Sequence, residues 1–212
     1  TNGDLKIAAC NNPTCTTSTN TTIDSNDDVG EYTSIAIGTN GNPIISYLDN
    51  TNRDLKVAAC NNPTCTTSTN STIDSNDDVG LFTSIAIGTN GNPIISYYDS
   101  TNTDLKVAAC NNPTCTTSTN STIAASSGLV GYHTSITIGT NGNPIISYLD
   151  FSNGELNIAA CNNPTCIGAT EADRSTNSTI DSVGLVGWYT SITIGTNGNP
   201  IISYWDHTNQ DL

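Results

Sequence analysis

A unit of roughly 50 residues is written four times in this chain. The stretch TSIAIGTNGNPIISY occupies residues 33–47 and 83–97, and TSITIGTNGNPIISY occupies 134–148 and 190–204. A second segment, DLKIAAC or DLKVAAC, begins at 4, 54 and 104, and ELNIAAC begins at 155. Self-similarity at a fixed period makes each unit one small supersecondary block. Such a block buries its apolar face only by stacking against its neighbours.

Within a unit the apolar pattern has the period of a strand. Ser34 to Gly38 alternates, with Ile35 and Ile37 on one face. Asn40-Gly41 signals a tight hairpin, since both residues tolerate positive φ. Pro43 opens the next strand, where its missing N–H costs least, and Ile45 and Tyr47 share a face. Leu55, Val57 and Ala59 line one side of a third strand, and a weaker fourth follows around STIDS. No 3.6-residue period occurs. The expected class is all-β, with four strands per unit, the pattern of a β-propeller blade.

The run S-I-x-I-G-x-N-G-N-P-I-I-S-Y-x-D followed by D-L-K-V-A resembles the tandem repeats of extracellular bacterial β-propellers of the sialidase-like, BNR type. The resemblance covers nearly the whole chain. With the repeat count it leads to one domain over 1–212, with units at about 33–82, 83–133 and 134–189. A fourth unit, 190–212, is completed by 1–32, so that the N- and C-terminal half-blades pair and close a four-bladed ring. The alternative is an open repeat array or β-solenoid segment of a longer chain. A sialidase-type site needs several arginines around a carboxylate, and the two arginines, Arg53 and Arg174, fall at non-equivalent places. His133 and His207 are likewise unmatched in other units, and no nucleophile-base pair stands out. The expectation is that the chain is not an enzyme.

Net charge sharpens the choice of partner. With 19 acidic against 5 basic residues the formal charge is -14, which repels phosphate backbones and anionic lipid. Nucleic acid and membrane insertion are therefore not expected, and no apolar run approaches the roughly 20 residues of a spanning helix. Without any Met, and with no leader at Thr1, the sequence reads as a processed chain or a segment of a longer one.

All eight cysteines bracket the loop CNNPTC. Disulfides Cys10–Cys15, Cys60–Cys65, Cys110–Cys115 and Cys161–Cys166 are expected, in an oxidising extracellular or cell-surface setting. Zinc held by two such loops is the rival. No cofactor is expected. Calcium at Asp49–Asp54 competes with ordinary Asp/Asn turn chemistry. Sequons at Asn20, Asn70, Asn120 and Asn177 recur once per unit and mark candidate glycosylation sites.

The copies differ chiefly at aromatic positions. The dipeptide before TSI runs Glu31-Tyr32, Leu81-Phe82, Tyr132-His133 and Trp188-Tyr189. Tyr32, Phe82, His133, Trp188 and Trp205 are the candidate ligand or subunit contacts, against the alternative that they pack between units. Two functions are expected to compete. One is an extracellular structural building block of a fibre, sheath or appendage, whose partners are copies of itself. The other is a lectin-like module that binds glycans.

Overall fold

The computed structural model describes residues 3–125 and 128–212. Its strands are antiparallel meanders that follow the repeat. First come β1 (Leu5–Cys10) and β2 (Ser18–Asp24), a two-stranded sheet. Sheet 1 then runs β3 (Val29–Ile37), β4 (Pro43–Asp49), β5 (Asp54–Cys60) and β6 (Ser68–Asp74), each hydrogen-bonded to the next. Sheet 2 repeats it with β7 (Val79–Ile87), β8 (Pro93–Asp99), β9 (Asp104–Cys110) and β10 (Ser118–Ala124). Sheet 3 holds β11 (Val130–Ile138), β12 (Pro144–Asp150), β13 (Glu155–Cys161) and β14 (Ser175–Asp181). Last, β15 (Trp188–Ile194) and β16 (Pro200–Trp205) form a second two-stranded sheet. The fold is all-β. Its one described helix, α1 (Glu171–Arg174), is a single turn capped by Thr170 and Asp173 in the longest inter-strand loop.

The strand β4 is buried along its whole length, as is β8. Period-2 alternation explains this, because both faces are covered by different neighbours. Ile44, Leu55, Val57, Ala59 and Ile73 of sheet 1 meet Val79, Ile85, Ile95, Tyr97 and Ala108 of sheet 2. On its other face sheet 1 presents Ile45, Tyr47 and Ala58 to Leu5, Ile7 and Ile23. The core is thus a series of slabs between successive sheets. At about 25 cal/mol per Å² of apolar area, these slabs supply the main favourable term.

The GTNG turn is longer than expected. Ile37 pairs with Pro43, leaving five loop residues, with Gly38 N–H donating to the Asn42 carbonyl at 2.9 Å. Gly41 has φ +81°, but Asn40 does not share it; its Oδ1 instead accepts from Asn42 N–H at 3.0 Å. Gly80 has a different reason to be glycine. It has φ +91°, and a Cβ there would lie 2.8 Å from the Leu55 Cα.

All four expected disulfides are formed, and none of the described cysteines is free. Cys65, Cys115 and Cys166 are fully buried, so these three bridges also fill part of an inter-sheet slab, whereas Cys10 and Cys15 are exposed. Four disulfides point to an oxidising environment. No described helix is long and apolar enough to cross a membrane.

Ring closure is the expectation that fails. The strands β1–β2 and β15–β16 remain separate two-stranded sheets, and 190–212 is not joined to 1–32. The reason lies in the repeat itself. Nearly equal side chains stack each sheet on the next, and no strand ladder joins β16 to β1.

Candidate functional site

The first strands of successive sheets, β3, β7, β11 and β15, pack side by side. Each carries the same irregularity. Ladder register shifts between Glu31/Ser34, Leu81/Ser84, Tyr132/Ser135 and Trp188/Ser191. At the shift Tyr32, Phe82, His133 and Tyr189 adopt φ of 51°, 54°, 51° and 52°. A non-glycine residue in the left-handed region costs roughly 1–2 kcal/mol. A bulge also re-aims its side chain out of the strand's alternation. Here it turns four aromatic rings towards one another.

The rings form a file. Tyr32 and Phe82 have centroids 4.7 Å apart, Phe82 and His133 4.5 Å, and His133 and Tyr189 4.3 Å. They line an open pocket of about 240 Å³, together with the threonine that follows each of them. Those threonines hold the bulges. Thr83 Oγ1 donates to the Tyr32 carbonyl at 2.9 Å and lies 2.7 Å from Ser46 Oγ. Thr190 Oγ1 likewise donates to the His133 carbonyl at 2.9 Å and meets Ser147 Oγ at 2.8 Å. Thr134 pairs with Ser96 in the same way.

The site's electrostatics are mild. Burial pushes the His133 imidazole down to about 4, so it is neutral at physiological pH. Burial, with Glu31 and Tyr132 nearby, raises the Tyr32 phenol. Polar hydroxyls and uncharged rings face the opening, and no carboxyl group is among the lining residues.

Of the five expected contact residues, the pocket gathers Tyr32, Phe82 and His133. Trp188 and Trp205 lie instead in an adjoining aromatic band. It runs from Tyr98 through Tyr132 (4.4 Å), Phe151 (5.4 Å) and Trp188 (5.7 Å), and Trp188 sits 6.3 Å from Trp205. The residue missed is Tyr189. Laying the four dipeptides in strict register would have found it, since it stands where Tyr32, Phe82 and His133 stand.

The remaining candidates are dispersed. Asn20, Asn70, Asn120 and Asn177 lie on the outermost strands β2, β6, β10 and β14. Nδ2 of Asn70 donates to the Ile23 carbonyl at 3.1 Å, and Asn120 and Asn177 repeat this on Ile73 and Ile123. A glycan at these positions has to leave the second amide hydrogen in that bond. Asp49 is engaged by its own turn, with Oδ1 accepting from Asn52 N–H and Oδ2 from Asn52 Nδ2, both at 3.0 Å. The described residues contain no cluster of three or more metal-ligating side chains.

No family model and no curated protein matches the chain. Solved structures do. A protein of unknown function from Dyadobacter fermentans superposes with a TM-score of 0.64 at 11% identity, over 87% of this chain and 51% of its own. An alpha-L-arabinofuranosidase from Lactobacillus brevis gives 0.56 at 10% identity, over 91% and 73%. An endo-1,4-beta-xylanase from Bacteroides thetaiotaomicron gives 0.52 at 12%, over 85% and 65%. The chain spans about half the length of the Dyadobacter protein. The fold is one used by glycoside hydrolases.

That finding corrects the expectation that enzymes are excluded. The exclusion rests on the missing sialidase-type arginine cluster, the unmatched histidines and the want of a nucleophile–base pair in the repeat pattern, none of which addresses the fold. Hydrolases named for other substrates share this architecture.

Proposed function

We propose that this chain is an extracellular carbohydrate-binding repeat protein that holds a sugar ring in the pocket of Tyr32, Phe82, His133 and Tyr189. One observation carries the reading: every unit spends a left-handed residue to aim an aromatic ring, or the His133 imidazole, at the same pocket. Backbone strain of that kind persists where a site uses it. Aromatic faces suit the apolar C–H faces of a sugar, while threonine hydroxyls at the rim suit its hydroxyls. The likeness in fold to an arabinofuranosidase and a xylanase supports xylan and arabinose-bearing chains as the first ligands to try. The reading takes residues 1–212 as one repeat domain of the β-propeller kind, exported, with candidate glycans on its outer strands.

The test is calorimetric titration of the full chain with xylan- and arabinan-derived oligosaccharides, beside Tyr189→Ala and Phe82→Ala variants. Tyr189 is 65% exposed, so its removal leaves the core intact. Each variant should bind about three- to tenfold more weakly, the value of one stacked ring. Equal binding by all three proteins would refute the site. Release of shortened sugars by the wild type alone would replace binding with turnover.

A further inference from the structure

An ionic lock joins sheet 1 to β2 and sheet 2 to sheet 1. Lys56 Nζ lies 2.8 Å from Asp24 and 3.6 Å from Asp49, with Tyr47 Oη donating to Asp24 at 2.7 Å. Lys106 lies 2.8 Å from Asp74 and 3.5 Å from Asp99, with Tyr97 donating to Asp74 at 2.6 Å. In both, the ammonium group also sits over the tyrosine ring, 5.7 Å and 5.6 Å from its centroid. The fold thus holds a compact monovalent cation twice, between a tyrosine, a carboxylate of the same hairpin and a carboxylate of the sheet before.

The contact between sheets 2 and 3 keeps only part of this arrangement. Its strands pair in the same register, with Tyr148 opposite Asn157 as Tyr47 is opposite Lys56 and Tyr97 opposite Lys106. Asp150 stands where Asp49 and Asp99 stand. Its turn is held in the same way, Asn153 N–H donating to Oδ1 at 3.1 Å and Asn153 Nδ2 to Oδ2 at 2.8 Å. The lysine and the second carboxylate are what change, to Asn157 and Ala124. Neither side chain is long enough to reach the point where Lys106 Nζ meets Asp74 one sheet earlier. Buried oxygens lose their partners as a result. Asp150 is 6% exposed and, among the described residues, forms no ion pair. Asn157 is 7% exposed, and its buried Oδ1 accepts no hydrogen bond. Tyr148, also buried, packs in one cluster with Ala124 instead of meeting a carboxylate. Leaving such groups uncompensated is costly. The local field is negative as well, since burial and then Asp150 and Glu171 raise the Tyr148 phenol.

We infer that Asp150, Asn157 and Tyr148 form a binding site for a free monovalent cation of ammonium size, potassium or ammonium itself, at the position that lysine Nζ holds in sheets 1 and 2. The Asp150 carboxylate supplies the negative charge. Asn157 Oδ1 supplies the neutral oxygen that otherwise has no donor, and the Tyr148 ring and hydroxyl form the wall, as the tyrosines do beneath both lysines. One carboxylate among neutral oxygens matches a single positive charge. Calcium takes about six to eight oxygens and is held by more carboxylate than this, and the described residues hold no group of three or more acidic, histidine or cysteine ligands. The site is within reach of solvent, because the lysine side chains that fill this depth in the other sheets are 13% exposed. Sheet 3 thereby exchanges a tethered cation for a free one.

Thermal melts of the full chain in chloride salts at equal ionic strength test this. Potassium and ammonium should raise the melting temperature saturably, by about 2–4 °C over tetramethylammonium, which is too bulky for the site. Asn157→Lys restores a tethered ammonium group. It should melt at one temperature in all of these salts, no lower than the wild type does in potassium. Asp150→Asn should lose the difference between salts too. Thallium(I), a potassium analogue, reads the site without unfolding: the wild type should give a bound thallium resonance that potassium displaces, and Asn157→Lys should give none. A wild type that melts alike in every salt, or shows no bound thallium, overturns the inference. So does a potassium effect that survives in Asn157→Lys, because the ion would then sit elsewhere on this acidic chain.

Discussion

The ionic lock between sheets 1 and 2 can be weighed against a neutral version of itself that the chain already contains. Between sheets 2 and 3, Ala124 stands where Asp24 and Asp74 stand, and Asn157 stands where Lys56 and Lys106 stand. The informative perturbation is therefore Asp74→Ala, Lys106→Asn and the pair together. At 2.8 Å and an effective dielectric of about 20, the Lys106–Asp74 attraction is about 6 kcal/mol before desolvation. The Asp74 side chain is 0% exposed and that of Lys106 13%, so desolvation cancels much of it. Breaking the pair from either side leaves a buried charge, at about 3–5 kcal/mol each. Asp74→Ala falls at the lower end, because Asp99 remains 3.5 Å from Lys106. The double change removes both charges together and should cost about 1–3 kcal/mol. Urea unfolding of the four proteins gives a double-mutant cycle with a coupling of about 3–7 kcal/mol. Costs that add within about 0.5 kcal/mol would refute the lock.

Two further outcomes follow from single positions. Burial, helped by Asp99 and Glu171 and opposed by Lys106, raises the Asp104 carboxyl to about 6. The folded state then binds more protons than the unfolded one, so stability falls as pH rises from about 4 to about 6. Asp104→Asn should be neutral below pH about 4 and stabilising above about 6, by on the order of 1 kcal/mol after solvent screening. Thermal melts across that range check it, and a variant with no gain at neutral pH would count against it. Gly80→Ala should destabilise by about 2–4 kcal/mol, since its Cβ meets Leu55 backbone. Gly41→Ala, with open space around it, should cost only about 1 kcal/mol. Equal melting temperatures for the two would remove the steric account.

Strand number and class were legible because the period of two is visible in Ile35-Ile37 and Leu55-Val57-Ala59. What alternation hides is the number of covered faces. Ile44 and Ile45 look like a strand with one wet side, yet each meets a different sheet. The pocket was half legible. Variation at Tyr32, Phe82 and His133 drew attention, but nothing in local composition announces a left-handed bulge at a Tyr or a Phe. Closure was misjudged because counting units says nothing about the angle between them. The cysteines were paired correctly from spacing, and their packing in the slabs was not foreseen, since burial there depends on the neighbouring sheet. The paired loss of Asp and Lys at Ala124 and Asn157 was visible in the sequence. Its meaning needed the knowledge that residues 32 apart, such as Asp24 and Lys56, meet across sheets.

A chain of near-identical units faces a sorting problem while it emerges from the ribosome, since any sheet face fits any other in outline. Ala124 and Asn157 act as an address. Docking the Asn157 face onto the Asp74 face would strand a buried carboxylate, and docking a lysine face onto Ala124 would strand an ammonium. Both errors carry the full penalty of an uncompensated charge. The neutral match at that one interface therefore sets the sheet 2–sheet 3 contact apart from the two charged ones, in charge rather than in shape.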